Sequence, residues 1–241
     1  MPMSAIKSCG TCVLACALLL GAVLARASDS APGGKIVGVV SVAGAIEKPK
    51  RLPVFKSRSF CGPSVPDETL LVSADGRLRN AAVMLRPVNA ATIVRASKIT
   101  LDNQQCAFTP HIQFAPLGSE LLLKNSDPIL HTVHARLGQE TLFNLGLPRW
   151  RRVTKRLDRS GIIRADCDVL HTWMSAVIIV TDSPYYFLSN DRGEFAFEGV
   201  PPGAYEVEIW HERLGRRTHR LAVRQNEMTD VDVIYRLEKK L

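Results

Sequence analysis

Apolar positions along this chain come in short alternating or continuous runs rather than every third or fourth residue. Lys35 to Val42 (KIVGVVSV), Ala81 to Leu85 (AAVML), Glu120 to Lys124 (ELLLK), Ala176 to Thr181 (AVIIVT) and Tyr205 to Trp210 (YEVEIW) are β-branched or alternating, which predicts strands. Turn signals punctuate them at Asp75-Gly76, Asp191-Arg192-Gly193 and Pro201-Pro202-Gly203. Only Leu137 to Leu147 and the stretch from Arg151 to Leu157 have the spacing of short helices. No segment beyond the N-terminus has a long helical period with caps. The pattern predicts an all-β sandwich.

The first 27 residues follow another rule. Lys7 precedes an apolar stretch from Val13 to Leu24, and Ala25-Arg26-Ala27 supplies a small-x-small cleavage pattern. The stretch is shorter than the roughly 20 residues that a bilayer crossing needs. Residues 1–27 therefore read as a signal peptide, with the mature chain starting at Ser28 in the periplasm or outside the cell. After cleavage no stable membrane insertion is expected; a tilted anchor, or lipidation at Cys16, is the alternative. The chain has 241 residues, 46% apolar and 22% charged, which excludes general disorder and a multi-pass membrane protein. Lys and Arg number 31 against 23 Asp and Glu, a net charge of +8. With export and no recognition motif, that excess does not point to nucleic acid. Of six cysteines, Cys9, Cys12 and Cys16 leave with the signal peptide. Cys61, Cys106 and Cys167 remain, an odd number that predicts one disulfide and one thiol reserved for another role.

That thiol has company. Cys167-Asp-Val-Leu-His171-Thr-Trp-Met174 lies downstream of Asn125-Ser-Asp-Pro-Ile-Leu-His131-Thr-Val-His134. A thiolate, two imidazoles and a thioether are the donor set of a blue-copper electron-transfer site. The sulfurs favour Cu(I), and imidazole accepts both oxidation states. Zinc is less suited because thioether is a poor zinc donor, and no Gly-rich oxyanion turn accompanies Cys167 to suggest a catalytic thiol. His134 should face away from His131 on a strand, and ligates only if the strand ends early. His111 and His211 read as structural or interdomain contacts, and Trp173 as core or as a water shield. The basic run Arg149-Trp150-Arg151-Arg152, with Lys155 and Arg156, is either a solvated connection or a docking face for an acidic partner.

From Lys98 to Asp182 these residues, with Phe108-Thr109-Pro110 and Gly118 before a strand, resemble the cupredoxin family, and the short Cys-His-Met loop is closest to that of amicyanin. The resemblance implies one copper ion with His131, Cys167 and His171 equatorial and Met174 axial. Ile36 to Val40, Gly76 to Leu85, Ser189 to Phe197 and Gly199 to Tyr205 resemble a carboxypeptidase regulatory-like (prealbumin-type) β-sandwich. Together with Pro184-Tyr185-Tyr186 and Trp210-His211-Glu212, the whole is similar to exported proteins loosely labelled methylamine utilization proteins.

The implied layout is a Greek-key cupredoxin sandwich or barrel at 98–182, inserted between 35–97 and 183–241 of a smaller prealbumin-like sandwich. The implied role is a single-electron carrier or redox module and not an enzyme, because four protein donors leave no open position. A c-type cytochrome or a periplasmic oxidoreductase would be the partner, reached through His171 near the surface. With Cys167 on the metal, Cys61 and Cys106 are left as a disulfide stapling the two β parts. Two departures matter: three residues separate Cys167 from His171 where amicyanin has two, and Thr132 stands where many cupredoxins have an Asn tying the ligand loops. The first leaves the tilt of His171 open, and the second predicts a looser site or an altered potential. The alternatives are a periplasmic copper storage or delivery protein and a metal-free β-sandwich module that binds glycan or protein.

Overall fold

The structure, a computed structural model, describes residues 33–44 and 50–237. Residues 1–27, expected to be a signal peptide and carrying Cys9, Cys12 and Cys16, lie outside the described residues. Among the described residues, apart from one helical turn, Arg58–Cys61, the regular elements are strands. Among the described residues no helix is long and apolar enough to cross a membrane.

One sheet runs in the order Glu140–Leu147, His131–Leu137, Gly161–Asp166, Ser175–Thr181, Ile112–Pro116. A second runs Arg152–Arg156, Glu120–Asn125, Lys98–Gln104, Ala107–Thr109. Alternation along these strands turns Leu101, Leu121 and Leu123 of one sheet toward Val133, Ala135, Ile163 and Ile178 of the other, and this is the first core. Another pair of sheets encloses a second core around Ile36, Val83, Leu85, Phe195, Val207 and Ile209. In that pair, Glu194–Val200, Met228–Asp230 and Val233–Arg236 flank Gly34–Ala43, while Tyr185–Leu188, Ala82–Pro87, Gly203–His211 and Gly215–Val223 line up in that order.

The strand Ser175–Thr181 is buried on both faces. Ala176, Ile178 and Val180 enter the first core. Val177 and Ile179 point the opposite way, onto Ala82, Met84 and Trp210 of the second sandwich. A strand so placed has to be apolar at every position, which is why AVIIVT is continuous rather than alternating.

The predicted helices over 137–147 and 151–157 are strands instead. Gly138, at φ 62, turns the chain back so that Glu140–Leu147 pairs antiparallel with His131–Leu137, Leu147 opposite His131. Arg152–Arg156 alternates exposed and half-buried beside Glu120–Asn125. In both stretches the local spacing fits either element, and the unpaired N–H and C=O groups of the neighbouring strand decide it.

Residues 51–66 form a small structure of their own. Arg51–Pro53 and Ser64–Pro66 pair with each other, Val54 and Val65 bury in the first core, and Cys61 is bonded to Cys106.

Candidate metal centre

Strand register brings the donors together. His131 opens the strand His131–Leu137, whose alternation turns His131, Val133 and Ala135 inward. The adjacent strand Gly161–Asp166 pairs antiparallel with it, Asp166 opposite His134, so the next residue, Cys167, arrives level with Val133 and within reach of the Thr132 amide. The loop then bends back at Leu170 (φ 64), and the Met174 amide donates to the His171 carbonyl at 2.8 Å. Met174 is buried in the same core as Cys167.

Cys167 Sγ lies 3.9 Å from His131 Nδ1 and 3.7 Å from His171 Nδ1, and the two Nδ1 atoms are 3.1 Å apart. The point equidistant from these three atoms is about 2.1 Å from each, the length of a metal–imidazole bond. Among the described residues this is the cluster of three His, Cys, Asp or Glu donors within ligating reach. Both rings have their other nitrogen occupied. His131 Nε2 donates to Asp127 Oδ2 at 2.9 Å, and His171 Nε2 lies 3.3 Å from Ser57 Oγ. Asp127 leaves His131 Nδ1 facing the cluster, and both Nδ1 atoms converge with the Cys167 sulfur on one point, an arrangement that suits a cation. The donor set fits a soft-leaning ion such as copper.

The supports are specific. Asp127 also accepts from the Gln105 and Cys106 amides at 2.7 and 2.9 Å. Burial alone would raise its carboxyl, but the His131 bond and these amides outweigh burial and hold it below the usual range. Burial likewise opposes the His131 charge, yet Asp127 and the Cys167 sulfur raise its pKa. Burial disfavours the thiolate, while bonds from His131 and from the Thr132 and Val169 amides pull Cys167 down. Burial, the charge of His131 and then that of Lys56 push His171 down to about 4. Asn125 shapes the approach to His131, donating to the Ile129 and Leu147 carbonyls and accepting from the Asp127 amide.

Thr132 corrects one expectation. It ties the ligand loops as an Asn would: its amide donates to Cys167 Sγ at 3.3 Å, and its Oγ1 accepts from the Asp168 amide at 2.6 Å. A second correction concerns His171. It was expected near the surface but is only 2% exposed, because Ser57 covers its outer nitrogen and the Trp173 ring packs 5.1 Å away. Asp127 and Ser57 were both missed. Asp127 sits four residues before His131, within reach on one turn of chain, but no pattern in the sequence connects Ser57 to residue 171.

His134 points out of the core, to Thr141 Oγ1 at 2.8 Å and Asp168 Oδ2 at 3.0 Å, away from the donor cluster. His111 bridges the two sandwiches, bonding the Ser175 carbonyl with Nδ1 and the Glu212 carboxylate with Nε2. His211 is buried beside that pair. Cys61 and Cys106 form a disulfide, and Cys167 is the free cysteine among the described residues.

No family model matches the chain, and no curated protein does. Among solved structures, the chain is similar to a purple cupredoxin from Nitrosopumilus maritimus, at 19% identity over 35% of this chain and 99% of that one, TM-score 0.31. It is similar to a copper-containing nitrite reductase from Thermus scotoductus SA-01, at 19% identity over 40% of this chain and 25% of that one, TM-score 0.33. Amicyanin from Paracoccus versutus matches at 12% identity over 41% of this chain and 98% of that one, TM-score 0.32. It is the donor geometry that carries the functional reading.

Proposed function

We propose that the protein is an exported single-electron carrier or redox module holding one copper ion with Cys167, His131 and His171, and with Met174 as the weaker fourth donor. The observation behind this is the convergence of one thiol sulfur and two Nδ1 atoms on a point about 2.1 Å from each. Copper held there supplies a one-electron couple between Cu(II) and Cu(I). The chain's own part is to fix the donors before the metal arrives. Asp127 selects the His131 tautomer that leaves Nδ1 free, and the Thr132 amide stabilises negative charge on Cys167. The surrounding core excludes water, and four protein donors leave no position for a substrate, which favours electron transfer over catalysis.

Export, with residues 1–27 as a cleaved signal peptide, is part of the same reading and is supported by the Cys61–Cys106 disulfide, a bond of oxidising compartments. So is the arrangement of a copper unit at 98–182 within a regulatory-type sandwich of 35–97 and 183–241. The partner is a c-type cytochrome or a periplasmic oxidoreductase. Adding Cu(II) to the purified mature protein tests the reading. The expected result is an intense visible thiolate-to-copper band, lost in Cys167→Ser, with a reversible one-electron wave. Copper uptake without a wave would favour storage or delivery, and absence of the band would end the copper reading.

A further inference from the structure

The 51–66 loop makes its ladder hydrogen bonds within itself, yet it is held onto the metal centre at three points. At its base the Val54 amide donates to the Pro63 carbonyl at 3.0 Å, and Val54 and Val65 bury in the first core. Across its far end Cys61 is bonded to Cys106. Between them Ser57 sets Oγ 3.3 Å from His171 Nε2. Ser57 adopts a left-handed backbone, φ 57, which a non-glycine residue takes up only when its surroundings impose it. The imposition is local: the Phe60 and Cys61 amides both donate to the Ser57 carbonyl as the helical turn Arg58–Cys61 begins.

Cys106 is the common anchor. Its amide donates to Asp127, which holds His131. Its carbonyl accepts from Trp173 Nε1 at 2.9 Å, and the Trp173 ring packs on His171. Its sulfur holds the loop. One residue therefore connects the supports of both imidazoles to the segment lying over one of them. The side of the loop facing water carries Phe55, 74% exposed, with Phe60 and Lys56, and Leu170 is exposed next to His171.

We propose that the 51–66 loop is a fastened cover over the His171 edge of the centre, with Ser57 as the positioning residue for His171 and the Cys61–Cys106 bond as its latch. The role rests on the copper reading of the centre. With Nδ1 turned to the metal, His171 Nε2 carries a proton and donates it to Ser57 rather than to water, so the ring is held at both ends. Metal release and attack by small reagents then require the cover to lift. An approaching redox protein meets Phe55, Phe60 and Lys56 there instead of bare imidazole.

The test compares wild type with Ser57→Gly, which removes the hydroxyl and suits the left-handed backbone, and with the double variant Cys61→Ala/Cys106→Ala. Metal-free proteins are treated with diethyl pyrocarbonate, and modification of each histidine is followed by mass spectrometry. His211, buried in the other sandwich, serves as the internal gauge of global opening. The expected result is His171 modification faster by about five- to ten-fold in Ser57→Gly, the factor for one lost hydrogen bond, with His211 unchanged. The unlatched variant should react about a hundred-fold faster at His171. In copper-loaded protein the same order should hold for removal of the metal by a chelator, and the thiolate band of Ser57→Gly should shift. Wild-type rates at His171 in both variants, or His171 and His211 rising together, overturn the cover. A protein that forms no thiolate band fails the copper reading instead, and the metal-free rates still report on the cover.

Discussion

Asp127 receives three donors at once, two backbone amides and the His131 ring. Replacing it by Asn turns one acceptor into a donor facing another donor. Asp127→Asn should destabilise the metal-free protein by about 1–3 kcal/mol, read from urea unfolding. In the copper form it should lower Cu(II) affinity about ten- to hundred-fold and raise the reduction potential, because the carboxylate no longer supports the more charged ion. At this scale the sequence was legible where chemistry is rare. A cysteine, two histidines and a methionine in two short segments announce themselves by type. Thr132 and Ser57 do not, since hydroxyls are common and their roles depend on which loop lies beside them. The Thr132 hydroxyl accepts from Asp168 only because register places residues 131–137 next to residues 161–166.

Strands were readable wherever burial on one or both faces left a mark, as in Ser175–Thr181 and Gly203–His211. Glu140–Leu147 and Arg152–Arg156 lie at sheet edges with half-exposed apolar residues, so their patterns are weak and partners chosen at long range decide their form. Turns were the firmer signal. Gly193 in Asp191-Arg192-Gly193 has φ 70, and a Cβ there would stand 2.3 Å from the Val40 carbonyl oxygen. Gly193→Ala combines left-handed strain with a backbone clash that no side-chain motion relieves. It should cost about 2–4 kcal/mol, seen as a lower thermal midpoint, and should loosen the pairing of Glu194–Val200 with Gly34–Ala43.

Across the whole molecule the two sandwiches meet through a buried, titratable seam as well as an apolar one. Burial, more than the nearby charges of His111 and Arg213, pushes His211 down to about 4, whereas the same imidazole in the unfolded chain titrates near its ordinary value of 6.5. Between pH 6.5 and about 4 the unfolded state therefore binds more protons, and stability falls as pH falls through that window. For His211 the loss is on the order of 3 kcal/mol. His211→Gln should make the drop in urea midpoint between pH 7 and pH 4.5 shallower. His111 has the opposite leaning: burial disfavours its charge, but Glu212 outweighs burial and raises it, so it adds no slope in that window. Its bond to the Ser175 carbonyl carries the contact to the residue that follows Met174. The double-sided strand Ser175–Thr181 has a further consequence. Excising 98–182 as a free-standing cassette would strip Val177 and Ile179 of Ala82, Met84 and Trp210 and leave an oily outer wall. Such a fragment should stick to its own copies, so the donor cluster has to be engineered together with its host sandwich.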